Sequence, residues 1–577
     1  MDLDISITHT RLNAKGHGPA FAWAMPLHQE TDKTTTNRVI TMQATWRTLA
    51  LATLFSSTAL VSAVSAQNLR IGLASEPTSM DPQFHNLATN TQVRLSIFES
   101  LIDQDALQAL QPKLATEWEA LDETTWRFRL RDDVTFHNGT PFTARDVIYS
   151  VCRIPMVENS PSSFSIYTKS VAGMEAEDDH TVIIRTDGPN PLLPVESSTW
   201  AIMSADASGA TDDFAFKKGG CEGMGEVPQQ AAFNSPALVV GTGPYKLKEF
   251  TRGSQIVLTR AENYWGDKSE WETITLRPIS SAGPRVAALL AGDVDLIEAP
   301  PVQDLPRIKN AGFNVVDALS NRVIYIALFQ DGAHKGIAGT DGKNPLEDPR
   351  VRQAMSLAIN REAIVDRIMS GYATPAGELL PPPMFGTSGR PADGYDPEKA
   401  KQLMSEAGYP DGFELTLGTP NDRYINDEQV AQAVAQMLTR IGIRTKVDAT
   451  TASQIFSRRN ALDYPAFLAG WGAASGEMSS PLKSLVATYN PDAGLGVTNA
   501  GRYSNPEMDA LLEKAMVTID DDERSNLLQQ AETIVLNEHG ILPLHYERSA
   551  WAMSPKVNYE PRVDQYTLAH TVTQATD

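Results

Sequence analysis

Two histidines, His539 and His545, flank the apolar run Ile541 to Leu544. Imidazoles three or four residues apart on one helical face could share a metal ion or a proton. A spacing of six across this run does not provide that, so both read as structural. Gly241-Thr242-Gly243 would open a phosphate-cradling loop if a glycine-rich helix start followed, but Pro244 follows, and the segment reads as a turn. The carboxylate groups Asp132-Asp133 and Asp520-Asp521-Asp522 sit in turn or cap contexts and read as solvated surface. No G-x-S-x-G elbow, H-E-x-x-H helix or Walker loop occurs in the chain, so nothing in it requires an enzyme. The residue best suited to hold a molecule is Trp471. It closes the apolar strand Phe467-Leu468-Ala469 and precedes the small-residue loop Gly472-Ala473-Ala474-Ser475-Gly476. A flat ring beside such a loop suits stacking on a ligand or cation, a core tryptophan being the alternative.

The bulk of the chain narrows the function further. Its 577 residues imply about three domain-sized units. With 42% hydrophobic and 21% charged residues the composition is that of a globular protein. A formal charge of −22 and no offsetting basic run argue against nucleic acid as a partner. Two cysteines exclude a disulfide-dense scaffold and any multi-cysteine metal cluster. Met42 to Arg47 carries a positive charge, an apolar stretch runs from Leu49 to Val61, and Val64-Ser65-Ala66 sets small residues before Gln67. This is the layout of a secretory signal peptide, and its apolar core is too short for a membrane span. Residues 1–66 are therefore read as an N-terminal extension plus signal peptide, the signal at about 42–66, with a soluble mature protein after it. No Cys follows the cut, so a lipid anchor there is not expected. In an exported chain a Cys152–Cys221 disulfide is the expectation, two buried thiols the alternative.

The elements that must position these residues are legible from period and punctuation. Residues 69–73, 181–185 and 256–260 read as short strands. At 125–136 a hairpin is expected, with Trp126, Phe128 and Leu130 on one face, Arg127, Arg129 and Arg131 on the other, and a turn at Asp132-Asp133. The Gly-rich, aperiodic region 204–236 reads as a long loop, with Cys221 as its tether. In the second half Asp348-Pro349 and Asp396-Pro397 open helices, ended by Gly371 and Gly408. Asp427 opens another, with Val430, Val434, Met437, Leu438 and Ile441 on one stripe and Gly442 at its end. Val323–Phe329, Phe413–Leu417 and Phe467–Trp471 are apolar strands between them. Strands alternating with helices predict α/β layers.

From Leu114 the chain reads LATEWEALDETTWRFRLRDDVTFHNGTPFTARDVIYS, followed by GTGPYKLKEFTRGSQIVL at 241–258 and NYWG at 263–266. DPRVRQAMSLAINREAIV at 348–365, YDPEKAKQLMSEAGYPDGF at 395–413, VAQMLTRIGIRTKV at 434–447 and ILPLHY at 541–546 complete the set. In this order the segments resemble the family 5 extracytoplasmic solute-binding proteins of ABC importers, the dipeptide, oligopeptide, nickel and opine receptors. The resemblance implies an α/β, two-lobed periplasmic binding protein fold (type II, cluster C-like) with an extra subdomain inserted in lobe one. Lobe one would comprise 68–108, 235–318 and 541–577, the inserted subdomain 109–234, and lobe two 319–540. Val323–Phe329 and Ile541–His545 would be the crossings between lobes. The implied partners are a small-molecule or peptide ligand and an ABC permease of two membrane subunits with ATP-binding subunits. The receptor would be a periplasmic monomer that uses no cofactor and no metal, and no His or Met cluster supports nickel or haem uptake.

The resemblance also places the site. The family's Gly-Trp pair is Gly470-Trp471, at the cleft. Peptide receptors usually carry Asp three residues after that Trp, where it neutralises the peptide α-amine. Here Ala474 stands there, and Glu477 is the expected substitute. Otherwise the ligand lacks a free amine, as an opine, an oligosaccharide or a modified peptide would. Arg423, in the loop ending at Tyr424, suits a ligand carboxylate because its planar fork binds one bidentately, a lobe-to-lobe salt bridge being the alternative. His85 and Asn86 in the loop after Asp81, and Tyr503 after Gly501-Arg502, are further expected contacts, while Asp81 reads as a turn-former. Closure of the lobes around ligand is the implied mechanism, and a secreted hydrolase is the rival from another class.

Overall fold

The computed structural model describes residues 67–211 and 213–575. The expected signal peptide and the extension before it lie outside the described residues. Among the described residues no helix is long and apolar enough to cross a membrane.

A mixed twelve-stranded sheet runs through the molecule in the order Tyr245–Thr251, Gln255–Arg260, Thr273–Pro278, Asn68–Leu73, Leu296–Glu298, Ile541–Met553, Asn314–Leu328, Ala466–Gly472, Phe413–Pro420, Ile337–Ala338. Ala373–Pro375 adds to Ile541–Met553, and Ile443–Thr450 adds to Phe413–Pro420. Two of these strands are far longer than expected from their apolar segments, Asn314–Leu328 with 15 residues and Ile541–Met553 with 13. They pair antiparallel with each other, and the ladder breaks between Leu319 and Val323. On one side of the break Leu296–Glu298 pairs with Trp551–Met553. On the other, Arg322–Leu328 pairs with Ala466–Gly472. Ser320–Arg322 and Glu547 lie in the break, next to the expected crossings Val323–Phe329 and Ile541–His545, which are in the paired stretch on one side of it.

Each lobe has its own apolar packing. Beyond the break the side chains alternate between the two faces of the sheet. Ile324, Ile326 and Leu328 pack with Val351, Met355, Phe413 and Val434, while Val323 and Tyr325 pack with Leu482, Leu528 and Val535. Helices on both faces explain why this half of the strand reads as a continuous apolar run. In the other lobe Leu69, Ile71, Phe98 and Trp551 share one core with Phe128, Val182 and Ile184 of a four-stranded antiparallel sheet. That sheet, in the order Ala115–Asp122, Thr125–Leu130, Thr181–Thr186, Val171–Asp178, differs from the expected hairpin. Trp126, Phe128 and Leu130 are buried as alternation requires, but the turn precedes them. Asp122 accepts the backbone N–H and the hydroxyl of Thr124, closing a local turn there. Asp133 instead pairs with Arg131, and Val134 and Phe136 are buried without forming a strand.

The recurring segments prove to be structural anchors. Glu99, buried, accepts the Tyr264 hydroxyl at 3.0 Å and the Trp265 indole N–H at 2.8 Å. A Cβ on Gly241 would lie 2.0 Å from the Ile97 carbonyl oxygen, so only glycine fits at this turn. Asp348 caps Pro349–Ala358, and Asn360 caps a separate helix, Arg361–Arg367, where one helix was expected. Arg361 donates to the Pro543 carbonyl at 2.8 Å and so ties that helix to the long strand. Among the described residues of 204–236, Ala215–Lys217 and Gly220–Glu222 form a small sheet, Gln230–Asn234 forms a short helix, and Cys221 is joined to Cys152 in a disulfide.

Candidate functional site

The break in the long ladder opens a cavity of about 390 Å³ lined from both lobes. Ala88, Thr89 and Gln92 contribute from the helix Ala88–Arg94, and Glu298 to Gln303 from the end of an inner strand. Arg322, Glu547 and Arg548 come from the break and its edge, and Arg423 to Asn426 from the loop before the helix Asp427–Thr439. A second cavity of about 350 Å³ beside the disulfide is lined mainly by Val151, Pro155, Ile166, Val171 and Phe216. Its walls come from one region of the chain and gather few polar groups, so the interlobe cavity is the better candidate.

Its charges are unevenly satisfied. Arg322 reaches Glu547 at 3.3 Å, and Glu547 also accepts the Ile425 N–H at 3.0 Å. Arg548 pairs with Asp317. Glu298 is saturated by the Ala74 N–H, the Gln92 amide and the Thr567 hydroxyl. Arg423 is exposed and its guanidinium makes no ion pair among the described residues, lying only over the Tyr424 ring at 5.5 Å. Asp427 fixes the loop by accepting the N–H groups of Arg423 and Tyr424. Tyr424 donates its hydroxyl to the Gly470 carbonyl at 3.1 Å, and burial holds its pKa above the ordinary phenol value. The wall thus offers one cation without a counter-ion, while both of its carboxylates are engaged.

The other expected residues are placed as follows. Trp471 is half-buried and does not line the cavity; it packs on the second-lobe core and donates its indole N–H to Ser480 at 3.2 Å. Ala474 is exposed, and its carbonyl oxygen accepts the Gln108 amide at 2.9 Å. Glu477 does not substitute for the missing Asp. It is buried against Arg524, so its charge is already compensated within its own lobe. His85 bonds to Thr78, and Asn86 reaches Tyr167 of the inserted segment at 3.3 Å, so neither borders the cavity. Tyr503 is a core residue whose hydroxyl meets Glu538 at 2.7 Å. Burial and the neighbouring Glu538 carboxylate both raise its pKa. Asp81 forms a buried bidentate pair with Arg153 and also accepts the Gln83 N–H, as a turn-former does. His545 is buried in the long strand, where desolvation lowers its pKa to about 4.

Arg322, Glu547, Arg548 and Glu298 were missed from sequence. A charged pair following an apolar strand, as Glu547-Arg548 follows ILPLHY, was the available signal. Among the described residues no three His, Cys, Asp or Glu side chains converge as metal ligands.

The model of the bacterial extracellular solute-binding proteins, family 5, matches residues 109–492. The chain is 28% identical over 524 residues to the glutathione-binding protein GsiB of Salmonella paratyphi A, covering 89% of this chain and 96% of that one. Its fold is similar to HbpA2 from Haemophilus parasuis, with a TM-score of 0.74, 24% identity, and coverage of 88% of this chain and 100% of that one. It is also similar to the periplasmic binding protein DppA from Helicobacter pylori in complex with the peptide STSA. There the TM-score is 0.66 and the identity 23%, covering 88% and 98% of the two chains.

Proposed function

This chain belongs to the bacterial extracellular solute-binding proteins of family 5, and on that premise we propose that it is the periplasmic receptor of an ABC importer for small peptides bearing a carboxylate. The observation that carries the reading is Arg423, a cation without a carboxylate partner in a cavity lined from both lobes. A carboxylate there gains charge-assisted hydrogen bonds and, by touching both lobes, favours the closed form. The ligand of the similar GsiB, glutathione, is a peptide with two carboxylates. In this reading Arg423 holds the carboxylate end with the Tyr424 ring beside it, Trp471 and Ala474 lie outside the cavity lining, and the receptor performs no chemistry on its cargo. It reaches the periplasm through the signal at 42–66 and delivers ligand, as a monomer, to two membrane subunits with their ATP-binding partners.

A panel of glutathione and di- to tetrapeptides at millimolar concentration tests this. Binding raises the melting temperature, because only the native state binds, and leaves the ligand intact by mass spectrometry. A panel in which nothing stabilises the protein, or in which a peptide is cleaved, refutes it. Ala474, with Glu477 occupied by Arg524, favours a second reading: an amine-lacking solute such as an opine, an oligosaccharide or an N-blocked peptide. Acetylated and free-amine versions of one peptide separate the two.

A further inference from the structure

Gln108 stands at the tip of the hairpin formed by Ile102–Gln104 and Leu110–Pro112, whose Ile102 and Leu110 pack into the first-lobe core. Its neighbours Leu107 and Ala109 are exposed, yet Gln108 itself is 7% exposed. Its backbone is in the left-handed region, φ 63°, which a glutamine adopts only under constraint. The tip is held by Asp105, whose carboxylate accepts the N–H groups of Leu107 and Ala109. The side chain then leaves its own lobe. Its amide N–H donates to the Ala474 carbonyl at 2.9 Å, and its amide oxygen accepts Asn321 Nδ2 at 2.8 Å. The same Asn321 nitrogen donates to the Ala473 carbonyl at 3.0 Å. Ala473 belongs to the second-lobe core, and Asn321 lies in the ladder break next to cavity-lining Arg322.

We propose that Gln108 is a latch, whose amide hydrogen bonds to Ala474 and Asn321 hold the lobes shut over the cavity and set the resting balance between open and closed receptor. The bonds are neutral and exchange readily with water, so the latch is reversible. An opposing force is built in beside it. Gln104 Nε2 and Ser475 Oγ are buried with no hydrogen-bond partner among the described residues, and opening returns water to them. The effect on ligand dwell time rests on the receptor function proposed above; the effect on shape does not.

The test compares wild type with Gln108→Ala and with Gln108→Glu, which keeps the size but removes the donor. Small-angle X-ray scattering of the ligand-free proteins reads the balance directly. Both variants are expected to show a larger radius of gyration than wild type. Their Kd for glutathione as probe is expected to rise about three- to tenfold, the loss of one such bond, through faster release. Ligand-free scattering curves that superpose on wild type overturn the latch. If wild type binds neither glutathione nor any peptide, the receptor reading fails, and scattering still decides the latch.

Discussion

The Tyr424 ring lies directly over Gly470. A Cβ built on that glycine would meet Tyr424 Cε1 at 2.8 Å, and the hydroxyl of the same ring bonds the Gly470 carbonyl. The glycine of the Gly-Trp pair is thus the space into which the cavity's aromatic wall fits. Gly470→Ala is expected to displace the ring and destabilise the protein by about 1–3 kcal/mol, the range for overpacking. Urea unfolding measures the loss, and unchanged stability would mean that Tyr424 moves aside without cost.

Among the described residues Arg423 makes no ion pair that its loss could break, so Arg423→Ala is expected to leave the unliganded melting temperature unchanged. Carboxylate ligands should bind about ten- to a hundredfold more weakly by calorimetry, the loss of a charge-assisted hydrogen bond.

Ala474→Asp puts a carboxylate three residues after Trp471, where peptide receptors of this family usually carry one. Free-amine peptides are expected to gain about tenfold or more in affinity while their N-acetylated forms gain nothing, again read by calorimetry.

Glu196, in the helix Leu193–Ser197, accepts the Asn190 amide at 2.8 Å, and burial pushes its pKa up to about 7 from an ordinary 4.5. The folded state therefore binds more protons than the unfolded state between those values. The associated stability is present below about 4.5 and is lost as pH rises toward 7. Glu196→Gln, which can still accept from Asn190, is expected to raise the melting temperature at pH 8 and to leave it unchanged at pH 4.

The Cys152–Cys221 bridge closes a loop over a sequence separation of 69 residues that holds the first part, 204–220, of the weakly structured 204–236 region. The double serine variant is expected to lose up to about 4 kcal/mol on the chain-entropy model, read by denaturant unfolding. An equal stability for both proteins would mean that the loop is already ordered in the unfolded chain.

Local elements were largely legible because their causes are local. Asp348-Pro349 and Asp396-Pro397 carry cap and first-turn chemistry in two adjacent residues, and both helices begin there. The 125–130 strand was read correctly by its alternation, but its hairpin partner was not. Both Asp122 and Asp132 can close a turn, and only pairing with Ala115–Asp122 distinguishes them. The strand at 314–322 was missed because its side chains are of mixed exposure and give no clear period. At the site the Arg423-Tyr424 loop was found from sequence order, strand then loop then helix. Glu477 is suggested by its place three residues after Ala474 and Tyr503 by its loop after Gly501-Arg502, but their partners Arg524 and Glu538 lie 47 and 35 residues away.

By itself the sequence determined the class of protein. Charge, the absence of catalytic motifs, the signal-like segment and a series of short motifs in one order all act through composition or neighbouring residues. Only the tertiary structure decided which charges are free. A carboxylate can answer a ligand only if no guanidinium has already reached it, and that depends on where the long ladder breaks. The break at Ser320–Arg322 and Glu547 brings Arg322 to Glu547, leaves Arg423 without a counter-ion and sets Gln108 against Ala474.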